Sequence, residues 1–101
     1  GVRIDTLREI AANKLCAVLG RSEVKDLVDL FFLEAAGLDY AQIIDQAAQK
    51  DGGLTPATLA FVLRSTPTSP LPPYMVAQVD EESLRRFRDR LVDELTRLAH
   101  P

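Results

Sequence analysis

A chain of 101 residues has room for one hydrophobic core. Its 47% hydrophobic and 27% charged residues exclude intrinsic disorder, and no apolar run reaches the ~18 residues that a membrane-spanning helix needs. With 12 basic and 15 acidic side chains the net charge is −3, so nucleic acid cannot be held by bulk charge and would need a local patch.

The chain reads as a string of helices. Gly1–Ile4 alternates Val2 and Ile4 around Arg3, as the tail of a strand would. Asp5 is placed to cap a helix from Thr6 in which Leu7, Ile10, Ala11, Leu15 and Val18 recur at three- and four-residue spacing until Gly20 stops it. Ser22 is the expected cap of a second helix, which continues through the apolar stretch 27–36 to Gly37. Asp39, with Gln42 at the capping-box position, opens a third helix with Ile43, Ile44, Ala47 and Ala48 on its buried face and Gly52–Gly53 at its end. Thr55–Pro56 is a cap followed by proline at the first helical position, and Leu59, Val62 and Leu63 carry that short fourth helix. Pro67, Pro70, Pro72 and Pro73 make residues 66–79 an extended connector. Asp80 caps the last helix, where Leu84, Phe87, Leu91, Leu95 and Leu98 form an apolar stripe. No hairpin signal and no internal repeat appears. The expected architecture is all-α, a five-helix bundle-like domain over residues 1–101.

The second helix does not fit a plain bundle. At ~100° per residue, Ser22, Lys25, Asp26 and Asp29 share an arc of about 100° on an otherwise apolar helix. Such a helix is expected to be largely buried, and charges on it need partners. Two explanations stand side by side. Lys25 pairs with Asp29 four residues on, Asp26 suits the helix N-terminus, and Arg21 pairs with Asp26 or Asp29 from the loop; or the stripe faces a ligand. Lys14, on the edge of the first helix's apolar stripe, is either a snorkelling lysine or a phosphate-binding charge in the same crevice.

Other features read as structural. Glu81–Arg85, Glu82–Arg86, Arg90–Glu94 and Asp93–Arg97 are each four apart, the pattern of a solvated face, which leaves Arg88 unpaired as a residual RNA contact. Cys16, the single cysteine, excludes an internal disulfide and a Cys-based zinc site and reads as a small core residue. His100 reads as tail and Tyr74 as part of a rigid connector. Arg3, Asp5, Arg8 and Glu9 break any early apolar run, so no signal peptide is expected and the expected setting is the reducing cytoplasm.

The segment Ala12-Asn-Lys14-Leu15-Cys-Ala17, followed by Arg21-Ser-Glu-Val-Lys25-Asp26-Leu-Val-Asp29-Leu-Phe-Phe-Leu33, resembles a compound motif. It is similar to the downstream half of AbiEii/AbiGii-type nucleotidyltransferases, the bacterial abortive-infection toxins of type IV toxin–antitoxin systems, and of their MenA-like relatives. There "A-x-K-L-x-A" is followed by "R-x-x-x-K/R-D-x-x-D-L-x-x-L". The resemblance implies a polymerase-β-like transferase extended by a C-terminal helical region, using Mg²⁺ and NTP, with the 3′ end of tRNA as acceptor in some relatives and an antitoxin as partner.

The family's catalytic half carries a Gly-Ser or Gly-Gly turn and a strand with Asp-x-Asp, whose carboxylates hold two Mg²⁺ ions. This sequence has no Asp-x-Asp; Gly52–Gly53 leads into Leu54 and Thr55–Pro56 without a strand, and Asp89 and Asp93 are four apart on a helix. The expectation is therefore a C-terminal helical domain that is catalytically incomplete alone. It would hold no cofactor of its own, and residues 1–4 would mark the end of a missing N-terminal nucleotidyltransferase domain. Carried across, the resemblance assigns Lys14, Arg21 and Lys25 to nucleotide or phosphate binding. It gives Asp26 and Asp29 the acidic roles of the site, orienting these cations or touching metal-bound water. The alternative is a stand-alone helical protein-interaction module without catalysis, and neither expectation involves a membrane.

Overall fold

The computed structural model describes residues 4–75 and 79–100. Among them are five α-helices and no strand: α1 Ile4–Gly20, α2 Val24–Ala35, α3 Tyr40–Lys50, α4 Pro56–Arg64 and α5 Glu81–Ala99, with one 3₁₀ turn at Pro73–Met75. The all-α expectation holds. Ile4 already belongs to α1, so the helix starts before the expected cap and Asp5 sits in its first turn. Gly1–Arg3, where a strand tail was expected, lie outside the described residues, as do residues 76–78 of the connector.

Most helix starts follow local chemistry. Asp39 accepts the Ala41 N–H at 3.0 Å, Thr55 the Thr58 N–H at 3.1 Å and Asp80 the Ser83 N–H at 2.7 Å, and Pro56 stands in the first turn of α4. The bonds from Ser83 hold the Asp80 carboxyl below its ordinary range. The Asp39 carboxylate takes Ala41 as its partner, and the Gln42 N–H goes to the Asp39 carbonyl at 3.0 Å. The end of α2 needs a glycine: Gly37 has φ +109°, a conformation that costs a side chain dearly.

The start of α2 departs from expectation. Glu23, not Ser22, is the N-cap, and the Asp26 carboxylate reaches back to the Glu23 N–H at 3.0 Å. Ser22 turns instead to Thr66, hydroxyl to hydroxyl. Thr66 is 1% exposed; its hydroxyl donates to the Val62 carbonyl at 2.9 Å, and its own carbonyl accepts from Arg88 at 2.9 Å. The start of the proline-rich segment is thus tied to the loop before α2, to α4 and to α5. Arg88, expected to be unpaired, also meets Asp89 at 3.1 Å.

The helices enclose one core. Leu15 of α1, Leu27 and Leu30 of α2, Leu59 and Leu63 of α4, and Leu84, Leu91 and Leu95 of α5 are all fully buried. α4 lies along α5, and α1 packs on α2, α3 and α4. Tyr40 closes the α2–α3 corner, 2% exposed, with its hydroxyl donating to the Leu30 carbonyl at 2.7 Å. Cys16 packs half-buried against the core, its thiol donating to the Ala47 carbonyl at 3.4 Å, and burial pushes that thiol up from its ordinary range. No described helix is long and apolar enough to cross a membrane.

Candidate functional site

The apolar stripe of α1 sets the position of Lys14. Val18, four residues on, is fully buried, whereas Ile10, four residues back, is 44% exposed. Lys14 therefore sits where the stripe leaves the core, with 28% of its side chain in solvent. On α2, Asp26 and Asp29 are three apart and so share a face. That face meets Lys14: its Nζ lies 2.9 Å from Asp29 Oδ2 and 3.7 Å from Asp26 Oδ1. The Asp29 hydrogen bond, joined by the charge of both aspartates, raises Lys14 above its ordinary value against the opposing effect of burial.

The two aspartates differ in setting. Asp26 keeps 9% of its side chain exposed and uses both oxygens, Oδ2 on the Glu23 N–H and Oδ1 toward Lys14. Asp29 keeps 45% exposed and, with Lys14, borders an open groove of about 490 Å³ whose remaining wall includes Leu7, Ile10, Phe32 and Leu33. Lys14 and Asp29 are thus paired, but at the rim of a groove rather than in a sealed interior.

Arg21 and Lys25 fall elsewhere. The Arg21 guanidinium lies 3.6 Å from one Glu23 oxygen and the Lys25 ammonium 3.6 Å from the other. These side chains are between 46% and 70% exposed, a setting in which ion pairs contribute about 1 kcal/mol or less. Neither expected pairing forms: Lys25 does not take Asp29, and Arg21 takes neither Asp26 nor Asp29. Within a helix, Lys25 and Asp29 are natural partners, but α1 brings a closer cation to Asp29. Lys25 borders a second groove of about 340 Å³ with Ser22, Val24, Pro67 and Pro70. The five sequence-derived residues therefore form two clusters, Lys14–Asp26–Asp29 and Arg21–Lys25, joined through Glu23 and its bond to Asp26.

Glu23 is the organising acid that sequence reasoning missed. Its signal was present, because Glu23 and Asp26 stand at capping-box spacing, but Ser22 is the more common cap residue. The exposed apolar side chains of the groove, Ile10 and the 39% exposed Phe32, were also read only as core-facing positions.

A divalent cation needs carboxylate oxygens free to face it. Asp26 has none to spare, Asp29 faces an ammonium, and no group of three His, Cys, Asp or Glu side chains converges among the described residues. This donor set does not fit the Mg²⁺ that the resemblance implies, and no metal-borne step runs through it.

Over residues 1–100 the chain matches the family model described as nucleotidyl transferase AbiEii toxin, Type IV TA system. No curated protein and no solved structure gives a match.

Proposed function

The chain belongs to the AbiEii nucleotidyltransferase toxin family of type IV toxin–antitoxin systems, and from that premise we propose that these helices form one wall of the cleft in which nucleotide is transferred to RNA. The observation that carries the proposal is the Lys14 ammonium, held against Asp29 at 2.9 Å on the rim of an open groove. Asp26 and Asp29 orient this ammonium, which meets a phosphate of the NTP or of the RNA end as a point charge. Arg21 and Lys25, on the neighbouring cluster at Glu23, serve as further phosphate contacts, Arg21 through its forked guanidinium. The Mg²⁺ and the attacking hydroxyl belong to a catalytic half with Asp-x-Asp, which these residues do not contain. The chain alone is therefore inactive.

The test is transfer of labelled nucleotide to RNA by the complete toxin. Lys14→Met lowers the rate at least tenfold and Lys14→Arg restores part of it, both assayed well below their melting points because Lys14→Met also gives up the pairing with Asp26 and Asp29. A wild-type rate for Lys14→Met overturns the proposal.

One observation favours a second reading. Ile10 at 44% and Phe32 at 39% exposure make the same groove apolar enough to dock a protein, the antitoxin or a second copy. Gel filtration with light scattering separates the two: a stoichiometric complex lost in Phe32→Ser, with transfer indifferent to Lys14, favours the interaction module.

A further inference from the structure

α4 and α5 present a surface that the Lys14 groove does not use. Ala57, Ala60, Phe61 and Arg64 recur at spacings of three and four, so they share one face of α4. Ala60 is buried in the core, but Phe61 leaves 70% of its surface in water. With Thr96 of α5 and His100, which follows that helix, these residues line a shallow depression of about 180 Å³.

Its lining differs in charge from that of three other depressions. The Lys14 groove contains Asp29, the Lys25 groove Glu23, and a small hollow by Arg8 contains Asp39. Among the described residues, no carboxylate lines the Phe61 depression. Arg64 is exposed and makes no ion pair among the described residues. An aromatic ring with an open face, beside the Arg64 guanidinium and small alanine neighbours, has the composition that single-stranded nucleic acid uses: a base stacks on the ring and its phosphate meets the cation. An apolar protein partner would use the ring but leave the guanidinium unanswered.

We propose that the Phe61–Arg64–His100 face binds single-stranded RNA, with one base stacked on Phe61 and the adjoining phosphate held by Arg64. The choice of RNA over DNA rests on the proposed function; the site itself rests on the geometry above and is separate from the Lys14 groove.

The probe is a fluorescein-labelled oligoribonucleotide of about eight nucleotides, followed by anisotropy at several salt concentrations. Phe61→Ala weakens binding roughly tenfold without changing the salt slope, and Phe61→Trp retains it. Arg64→Gln weakens binding and lowers the slope of log affinity against log salt by about 0.7. Phe61 is mostly exposed, so Phe61→Ala folds, and a wild-type melting curve confirms it. Wild-type binding by either variant overturns the proposal, as does no binding by the parent protein at low salt. Self-association abolished by Phe61→Ala without RNA binding overturns it in favour of a docking face between copies. The Phe61 and Arg64 variants are read by oligoribonucleotide binding and Lys14→Met by nucleotide transfer, so failure at Phe61 and failure at Lys14 are told apart.

Discussion

Asp26 offers the sharpest separation of scaffold from site. Replacing it with alanine removes two interactions of different kinds. The bond from the Glu23 N–H, at 3.0 Å, closes the first turn of α2, and loss of such a cap costs about 1 kcal/mol. The approach to Lys14, at 3.7 Å, has a gross attraction of about 4 kcal/mol at an effective dielectric of about 20. Most of that is offset by desolvation of a carboxylate that keeps 9% of its side chain exposed, which leaves about 1 kcal/mol. Asp26→Ala is therefore expected to lose about 2 kcal/mol, a fall in Tm of about 10 °C for a domain of this size. Asp26→Asn keeps an oxygen for the Glu23 N–H and gives up only the charge, so it loses about half as much. Thermal melts by circular dichroism decide it. Equal melting of the two variants would show that the cap contributes nothing, and wild-type melting of both would refute the structural role altogether.

Tyr40 and Lys14 together fix the alkaline limit of stability. Burial pushes the Tyr40 phenol up, and Asp29 holds Lys14 up, so each has a folded pKa above its unfolded one. Both contributions are complete below pH ~10 and are lost as pH rises; for Tyr40 the loss runs at about 1.4 kcal/mol per pH unit once the unfolded tyrosine has ionised. Tyr40→Phe loses about 1 kcal/mol at neutral pH with the bond to Leu30 but flattens the decline above pH 10 in urea titrations; an unchanged decline would count against the assignment. Leu91→Ala, at a fully buried position, is expected to cost 2–5 kcal/mol in the same titration, and a cost under 1 kcal/mol would mean that α5 is not seated as described. Glu34→Gln breaks the pair with Arg90 across α2 and α5 at a loss of about 1 kcal/mol or less that shrinks in high salt; a larger, salt-independent loss would point to packing instead.

What could be read from the sequence was mainly what neighbours decide. The Thr55–Pro56 cap, the Asp80 cap, the glycine after α2 and the α5 stripe from Leu84 to Leu95 all depend on residues within one or two turns and stand where local chemistry puts them, whereas Leu98, expected in the same stripe, is 40% exposed. Ser22 shows the limit. As a cap it is as good as any, but Thr66, 44 positions away, takes its hydroxyl, and Glu23 starts the helix. Ion pairs show the same limit. Within a helix the visible partners are four apart, which pointed Lys25 to Asp29 and Arg90 to Glu94. Packing supplied Lys14 to Asp29 and Glu34 to Arg90 from other helices, and of the four pairs expected on α5, Glu82–Arg86 forms as an intrahelical pair at 2.7 Å.

Charge balance defines how Lys14 can work. The strip contains three cations, Lys14, Arg21 and Lys25, and three carboxylates, Asp26, Asp29 and Glu23, each cation within 4 Å of a carboxylate. Such a strip has no net positive field with which to attract a free anion. An ammonium has three N–H donors, however, and here only Asp29 lies at hydrogen-bonding distance, at 2.9 Å, with Asp26 at 3.7 Å acting through charge. Donor capacity toward the groove remains, fixed in direction by the two aspartates. On the proposed reading, Lys14 orients a phosphate that other parts of the substrate have already brought in and does not capture one. Its removal belongs in the transfer rate more than in the affinity for phosphate itself, because an interaction that depends on correct placement is felt most where charge develops.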